Sequence, residues 1–458
     1  MKRNDLFFYF FLFFIFLIHA FLLLNLNFFP YPEIFIYTYL TKIGLLPYVQ
    51  IMDQHFPGLF FFPVNFATIG FDTVEDYRFL QILLVFFNHV LIYLIGKKIF
   101  VSVKKVFFVN LLYLIWQPFF EGYVLWIDSF VVPLFLLSFL LLVNARNKIF
   151  YFLAGLVLGI AIVFKQVVAP LVILIWLYLL KTSNEKKDVF WFSLGAFLPG
   201  FLMCLYFIHI EVWQDFWYWT VIFNLTVFAE LGRKYPSPGE FIKSLMIFGF
   251  AFFAPFVLCF RNKLGKEIFL VFVFMIGSLF FAYARFDYVH LQPALPFALM
   301  LLVYTFNLIL VKKIIFVYLA ISLIVVFSSL RFVFGNKVYF FTDHEMTLSK
   351  SVRKYALPNE PIFAMATTPH IYYLTNTRPA GNVFVFHFDW FMRIAEDKIL
   401  DGIKTENPKV ILRDSSAEVS GRNLVEYMPR IQEYINSRYT VVDKIGAVDI
   451  LVPNENSN

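Results

Sequence analysis

Acidic side chains stand beside apolar segments early in the chain, where chemistry on a membrane-bound substrate would need them. Glu33 follows the first apolar run, and Asp53 lies in the cluster MDQHFPG together with His55. A carboxylate in such a position can act as a general base on an incoming hydroxyl group. Glu33 and Asp53 are therefore alternative candidates for a catalytic base, and the residue types alone do not rank them.

Two further acids occur in the stretch FFEGYVLWIDSF. Glu121 and Asp128 are predicted to serve as secondary acids that contact an acceptor or hold a divalent cation, Mg or Mn, because carboxylate oxygens suit these ions. The alternative is a pair of ordinary solvated loop acids. The sequence leaves the requirement for a metal open.

Cations and imidazoles at similar segment ends supply the complementary chemistry. Lys165 closes the apolar run IAIVFKQ, and Arg285 and His290 lie together in RFDYVHLQP. With His55, these side chains are predicted to bind a lipid-linked phosphate at the depth of the headgroups. The alternative for Lys165 and Arg285 is a long side chain that reaches the membrane interface without binding a ligand.

The composition that surrounds these residues is that of a membrane protein. Of the 458 residues, 60% are hydrophobic and only 15% are charged, whereas about a quarter are charged in soluble domains. The net charge of +7 is not taken to predict a nucleic-acid partner, since the positions of the cations follow the sides of a membrane. Cys204 and Cys259 lie in apolar runs, which argues against a disulfide framework or a thiolate metal site.

Apolar runs long enough for membrane helices recur over the first three quarters of the chain, and about eleven spans are predicted. The predicted spans are 6–24, 79–96, 106–117, 129–143, 150–164, 166–180, 189–209, 241–260, 267–284, 291–310 and 314–334. The first run follows MKRND and is interpreted as an uncleaved membrane helix, because it is long and no small-residue cleavage site follows it.

The distribution of charge predicts the orientation of these spans. If the N-terminus is cytoplasmic, the short inner loops all carry lysine or arginine, as in GKKIFVSVKK and NARNK, while the outer loops are acidic. This is the positive-inside pattern. We therefore expect an odd number of spans, a C-terminal end outside, and the candidate site residues on the extracytoplasmic face of a plasma or inner membrane.

The chain is predicted to contain two domains. Residues 1–335 would form the membrane domain, with long outer loops at 25–78 and 210–240, and residues 336–458 would form a small extracytoplasmic α/β domain. The second part alternates β-rich runs such as PIFAMA, PKVILR and YTVVDKIG with the helical pattern EYMPRIQEYINSR. The predicted fold class is an all-α polytopic membrane protein with a C-terminal α/β domain.

Several stretches resemble the polytopic membrane glycosyltransferases of the GT-C superfamily, which includes protein O-mannosyltransferases and bacterial aminoarabinose transferase-like enzymes. The similar stretches are PYVQIMDQHFPGLFF (47–61), LWID (125–128), FKQ (164–166), RFDYVHLQPALP (285–296) and YYLTNTRPA (372–380). Their order and topology carry the resemblance. Two departures stand out: Pro32 precedes Glu33 where the family often has Asp, and His55 and Phe56 replace a Lys and a Pro.

The resemblance implies transfer of a sugar, a hexose or a pentose, from a polyprenyl-phosphate donor to a hydroxyl group of a lipid, glycan or protein, with inversion at the anomeric carbon. It implies that the acid of the first outer loop, Glu33 or Asp53, is the base. It also implies that a lysine and an arginine, here Lys165 and Arg285, hold the phosphate.

Three alternatives to this enzyme remain. The chain is also compatible with a transporter or flippase of lipid-linked sugars, and with a binder that catalyses nothing. A polysaccharide polymerase or ligase fits less well, because the acid-bearing loop comes first and not late in the chain. The departure at Pro32 keeps the non-catalytic alternative open.

Overall fold

A computed structural model of the chain describes residues 3–183, 185–260, 264–309, 312–365, 369–419 and 421–454. Its α-helices are α1 Arg3–Leu24, α2 Pro32–Lys42, α3 Val74–Ile99, α4 Val103–Phe119, α5 Ile127–Val143, α6 Lys148–Phe164, α7 Ala169–Thr182, α8 Lys186–His209, α9 Trp213–Trp217, α10 Ala229–Leu231, α11 Pro238–Phe260, α12 Lys266–Leu279, α13 Phe281–Ala284, α14 Leu295–Ile309, α15 Lys312–Leu330, α16 Asp343–Val352, α17 Ile371–Thr375, α18 Asp389–Glu406, α19 Leu424–Tyr427 and α20 Pro429–Arg438.

The strands before residue 336 have only two residues each, and all of the longer strands, β3, β5, β8 and β9, lie after it. They are β1 Phe29–Pro30, β2 Val124–Leu125, β3 Pro361–Met365, β4 Arg378–Pro379, β5 Val410–Asp414, β6 Glu418–Val419, β7 Arg422–Asn423, β8 Tyr439–Ile445 and β9 Val448–Pro453. The predicted β-rich runs PIFAMA, PKVILR and YTVVDKIG coincide with β3, β5 and β8. The predominance of helix, with strands gathered near the C-terminus, agrees with the predicted fold class.

Each predicted membrane span coincides with apolar helix over most of its length, although many ends differ by up to five residues and the span 267–284 is divided between α12 and α13. α14 begins at Leu295 rather than at residue 291, because Pro293 disfavours helical geometry at the residue before it. α15 ends at Leu330, where the chain turns and the Val333 amide donates to the Leu330 carbonyl.

Within the residues that the structure describes, four helical runs are long and apolar enough to cross a membrane: Val74–Ile99, Lys186–His209, Pro238–Phe260 and Lys266–Tyr283. The other apolar helices are shorter, Phe8–Leu24 and Ile127–Val143 among them. The chain is therefore built as a membrane protein, while the number of crossings and the orientation stay predictions.

Both segments predicted to be long outer loops contain helices. The range 25–78 includes α2 and the start of α3, and the range 210–240 includes α9, two π-helical turns at Tyr218–Ile222 and Asn224–Phe228, and α10. α2 forms because Pro32 occupies its first turn, where no amide donor is needed.

By its internal contacts the chain divides into two compact units. The helical unit comprises Met1–Pro30, Glu75–Leu205 and Arg233–Lys337, and the mixed unit comprises Tyr31–Val74, Tyr206–Gly232 and Val338–Asn458. The predicted α/β segment 336–458 thus shares its unit with two earlier pieces of the chain. The physical reason is burial, because α2 and the loop after it are too apolar to stay in water.

In the helical unit, aromatic side chains fill the core between neighbouring helices. Phe139 of α5, Phe274 of α12 and Phe297 of α14 form a triangle, with ring centroids 5.4, 5.0 and 5.7 Å apart. Tilted and edge-on aromatic pairs of this kind stabilise a core beyond simple burial of area. The packing fixes the ends of these helices, where the candidate site residues lie.

Helices α6 and α8 approach each other through glycines. A Cβ atom added at Gly155 would lie 2.1 Å from the Phe192 carbonyl oxygen, and one added at Gly195 would lie 2.1 Å from the Phe152 carbonyl oxygen. Gly155→Ala is therefore expected to destabilise the protein by about 1–3 kcal/mol, as overpacking does. The melting temperature of the detergent-purified protein measures this.

Gly200, farther along α8, provides the matched control. A Cβ atom there meets nothing within 4 Å, so Gly200→Ala is expected to leave the melting temperature unchanged or to raise it, since alanine is the better helix former. Equal melting temperatures for the two variants would contradict the close approach of α6 and α8.

In the mixed unit, a five-stranded sheet has the order β4-β3-β5-β9-β8. β3 pairs in parallel with β4 and β5, and β9 pairs antiparallel with β5 and β8. Both faces of the sheet are buried, with Ile362 and Ile450 on one face and Ile411 on the other. Ile399 and Ile403 of α18 are also buried. The small α/β arrangement expected after residue 336 is therefore present within this unit.

Candidate functional site

Lys165 stands at a break between two helices of the helical unit. α6 ends at Phe164, and Lys165 itself is extended, with φ −154° and ψ 118°. The chain then makes a 3₁₀ turn at Gln166–Val168 and enters α7, which has Pro170 in its first turn. Lys165 is buried at this break, with only 7% of the residue exposed.

Asp128 and His290 complete a buried cluster around this lysine. Lys165 Nζ lies 2.7 Å from Asp128 Oδ2 and 3.2 Å from His290 Nδ1, and His290 Nδ1 lies 3.1 Å from Asp128 Oδ1. Asp128 is fully buried in the first turn of α5, and His290 sits on the 3₁₀ turn Tyr288–Leu291 that precedes α14. Three separate chain segments thus bring their polar side chains to one point.

The charges of this cluster nearly cancel. Burial lowers the pKa of His290, and the neighbouring Lys165 lowers it further, against the opposing effect of Asp128. The imidazole is therefore neutral near physiological pH, which leaves one cation paired with one carboxylate. An ammonium group has three donors, so Lys165 can hold Asp128 and still donate to an oxygen of an incoming anion.

Arg285 lies at a more exposed position of the same unit and has its own carboxylate. Its Nε atom is 3.2 Å from Asp287 Oδ2, and Lys234 forms an ion pair with the other oxygen of Asp287. The Arg285 side chain is 38% exposed. Of the residues predicted to bind phosphate, the structure thus brings Lys165 and His290 into contact and pairs Arg285 with Asp287.

Glu121 is bound to the protein backbone. Its Oε2 atom accepts a hydrogen bond from the Val289 amide at 2.9 Å. Burial raises the pKa of Glu121 to about 7, while the bond from Val289 opposes the rise. Among the described residues, no group of three or more histidine, cysteine or acidic side chains is arranged to hold a metal ion.

The mixed unit holds the other two candidate acids. Glu33, in the first turn of α2, is only 8% exposed, and its buried Oε2 atom has no hydrogen-bond partner in the described part of the chain. Burial raises the pKa of Glu33 to about 8, and the charge of Asp53 adds to this shift. A carboxyl group of this kind keeps one oxygen available for a proton near neutral pH.

Asp53 is fully engaged by hydrogen bonds. The Tyr37 hydroxyl donates to its Oδ2 atom at 2.6 Å, and the backbone and Nδ1 nitrogens of His55 approach its Oδ1 atom at 2.6 and 2.8 Å. Because a carboxylate only accepts, His55 Nδ1 carries a proton in this contact. His55 was predicted to bind phosphate, and in the structure its Nδ1 atom contacts Asp53.

The loop that carries Asp53 is anchored to the C-terminal part of the mixed unit. The Met52 amide donates to the Phe384 carbonyl at 3.0 Å, and the Phe384 amide donates to the Gln50 carbonyl at 2.7 Å. Tyr48 takes a left-handed backbone, with φ 64°, and its hydroxyl donates to the His55 carbonyl at 2.9 Å. These bonds hold the loop against Phe384.

Two partners of the site were missed by sequence reasoning. Tyr37 lies four residues after Glu33 on α2, so the helical period already placed both on one face. Asp287 lies two residues after Arg285, a spacing that puts two side chains on one side of an extended segment. Both signals were present in the printed sequence.

No protein-family model matches the chain, and no curated protein sequence matches it either. Solved structures do match over its whole length. The arabinofuranosyltransferase AftD from Mycobacteria is 12% identical, with a TM-score of 0.54 over 100% of this chain, which spans only 40% of the AftD chain.

ArnT from Cupriavidus metallidurans resembles the chain over nearly the full length of both proteins. Its complex with undecaprenyl phosphate is 9% identical, with a TM-score of 0.58, covering 100% of this chain and 99% of ArnT. The apo form is 10% identical, also with a TM-score of 0.58, covering 95% and 96%. The expected resemblance is thereby confirmed at the level of the fold alone, which this chain shares with ArnT and AftD.

Proposed function

We propose that this protein is a membrane glycosyltransferase that moves a sugar from a polyprenyl-phosphate donor to a hydroxyl acceptor on the extracytoplasmic face. One observation carries the proposal: a buried lysine, Lys165, is held between Asp128 and His290 in a chain with the fold of ArnT, a protein solved in complex with undecaprenyl phosphate. A lysine held in this way is a suitable ligand for a phosphate group.

The proposed role of the cluster is to bind the phosphate and to stabilise it as it leaves. The acceptor hydroxyl oxygen forms a bond to the anomeric carbon, and the bond from that carbon to the phosphate oxygen breaks. The electron pair leaves with the polyprenyl phosphate, whose negative charge Lys165 stabilises. A fixed cation in a site with little water is effective for this purpose.

The hydroxyl proton needs an acceptor, and we assign it to Glu33. The Oε2 atom of Glu33 is buried without a partner, whereas both oxygens of Asp53 accept hydrogen bonds. Glu33 becomes ionised only as the pH approaches its raised pKa of about 8. A base with a pKa near the working pH is well matched to proton transfer.

The proposal is tested by donor turnover. Purified protein in lipid nanodiscs is incubated with short-chain polyprenyl-phosphate hexoses and pentoses, with and without EDTA, and free polyprenyl phosphate is measured. We expect one donor class to be consumed, and the His290→Ala variant to lose about 10-fold or more of kcat/KM, as for loss of a hydrogen bond to a charged group.

A matched control is Lys409→Ala, a substitution in the exposed ion pair with Glu360 in the mixed unit, which is expected to keep wild-type turnover. If the wild type consumes no donor of either class and binds no undecaprenyl phosphate, the enzyme proposal fails. If it binds the lipid but consumes no donor, a binding role replaces it.

A transporter or a lipid-linked-sugar binder is the second candidate, and one observation favours it. Deep within the helices of the helical unit, His19 Nδ1 lies 2.9 Å from His89 Nε2, and His89 Nδ1 lies 2.9 Å from Asn110 Oδ1, all fully buried. Polar groups inside membrane helices often mark transport paths. Transport of a labelled lipid-linked sugar across proteoliposome membranes distinguishes this candidate from the enzyme.

A further inference from the structure

The turn that carries His290 is clamped by the loop that leads into α5. On that loop, Glu121 takes a left-handed backbone, with φ 59°, which a residue other than glycine rarely adopts. This conformation directs the Glu121 carboxylate to the Val289 amide, where the hydrogen bond is 2.9 Å long. The clamp thus holds the residue that immediately precedes His290.

A second contact fixes the same turn from its other end. The Gln292 amide nitrogen donates to the Phe120 and Glu121 carbonyls, at 3.0 Å each, and only 2% of Gln292 is exposed. Three hydrogen bonds therefore join the turn to the loop. Before His290, the Val289 amide donates to the Glu121 carboxylate, and after His290, the Gln292 side chain donates to the Phe120 and Glu121 carbonyls.

The loop itself is anchored within the helical unit. The Gln81 side chain donates to the Gly122 carbonyl at 2.8 Å, and a Cβ atom at Gly122 would lie 2.0 Å from the Gln117 side chain. A few residues later the same chain enters α5 and presents Asp128. One anchored segment thus carries Asp128 and holds the turn that carries His290.

We propose that Glu121 is a positioning residue of the anion site, acting through the Val289 amide to hold His290 against Lys165 and Asp128. This role replaces the predicted role of Glu121 as an acceptor or metal ligand. It rests on the proposed function only in that the cluster is taken to bind a lipid phosphate.

The clamp is expected to weaken as the pH rises. Burial raises the pKa of Glu121 from its ordinary value of 4.5 to about 7, and the charged or titratable groups that act on it are Asp287, Lys234, Glu240 and Tyr288. Between these two values the closed turn keeps a proton on Glu121 that a solvated Glu121 has released. The Val289 amide should therefore be best protected below about pH 4.5 and lose protection as the pH rises through about 7.

The test uses full-length protein with three variants, Glu121→Ala, Glu121→Gln and Glu240→Gln. Hydrogen–deuterium exchange of the segment 286–294 and equilibrium binding of undecaprenyl phosphate are measured at about pH 6 and about pH 8. Glu240 is half-buried and acts through its charge on Glu121 and on Tyr288, so Glu240→Gln removes one nearby charge and leaves the hydrogen bond between Glu121 and Val289 in place.

For Glu121→Ala we expect exchange in this segment to be about 10- to 100-fold faster and lipid binding to be about 10-fold weaker. Glu121→Gln, which keeps an uncharged acceptor at every pH, should fall between and lack the loss of protection that the wild type shows at the higher pH. Glu240→Gln should match the wild type. Unchanged exchange in Glu121→Ala, or equal acceleration in Glu240→Gln, would overturn the proposal.

The two readouts separate this proposal from the proposed function. If exchange responds as expected but the wild type binds no undecaprenyl phosphate, the positioning role stands and the assignment of the cluster to a lipid phosphate fails. If the wild type binds the lipid and Glu121→Ala leaves exchange and binding unchanged, the positioning role alone fails.

Discussion

Replacing Lys165 with methionine is expected to abolish binding of polyprenyl phosphate and to destabilise the protein by about 3–5 kcal/mol. The reason is that Asp128 is completely buried and Lys165 Nζ lies 2.7 Å from it. The variant therefore removes the cation that is paired with a buried carboxylate. Equilibrium unfolding in mixed micelles measures the stability, and titration with undecaprenyl phosphate measures the binding.

The double variant Lys165→Met with Asp128→Asn separates the two effects. Replacing both members of a buried ion pair by neutral groups of similar size is close to neutral for stability, whereas removing one member is not. We therefore expect the double variant to regain most of the lost stability and none of the binding.

Two results would count against this account. If the double variant binds the lipid phosphate as the wild type does, the cluster has only a structural role. If Lys165→Met is as stable as the wild type, the buried ion pair does not contribute to the free energy of unfolding as its geometry predicts.

The sequence predicted much of the helical fold because membrane helices leave a strong local signal. A run of about twenty apolar residues is readable without tertiary information. The sequence alone also predicted that Lys165 and Arg285 lie at the ends of apolar segments. The grouping of residues 31–74 with the C-terminal part was not, because it depends on contacts between distant segments such as that of Met52 with Phe384.

The roles of the site residues were only partly predictable, for a physical reason. Residue type and position indicated that Lys165, Asp128 and His290 are polar groups at segment ends, but their distances depend on how three helix ends meet. Glu121 illustrates the limit: its acidic type suggested a ligand, while its left-handed backbone turns it toward the Val289 amide. A backbone conformation of this kind has no sequence signature outside glycine and asparagine.

Glu33 and Asp53 were left as alternatives, and their environments now separate them. Asp53 accepts donors on both oxygens, so the amide nitrogen of Asp53→Asn would either face the His55 amide, which can only donate, or reverse the hydrogen bond from the Tyr37 hydroxyl. We expect that substitution to disturb the loop itself. Glu33→Gln meets no such conflict at Oε2, which has no partner, and is the cleaner substitution.

Glu33→Gln is expected to lower the rate of sugar transfer by about 10²- to 10⁴-fold while binding of undecaprenyl phosphate is kept. Glutamine has the size of the acid but cannot take up the hydroxyl proton. Because burial raises the pKa of Glu33 to about 8, the wild-type rate should also rise with pH through that value. If Asp53→Asn folds normally and loses transfer while Glu33→Gln retains it, the base is Asp53.

The same pKa predicts a change in stability whose sign can be worked out. The ordinary value for the group is 4.5 and the folded value is about 8, so between them the folded state binds a proton that the unfolded chain has released. The stability contributed by neutral Glu33 is fully present below about pH 4.5 and is lost as the pH rises through about 8. Glu33→Gln, which stays neutral, should therefore unfold at a higher temperature than the wild type at about pH 9 and at the same temperature at about pH 4. Equal melting temperatures at both values would show that Glu33 is not a buried acid, and would remove the basis for assigning it the proton.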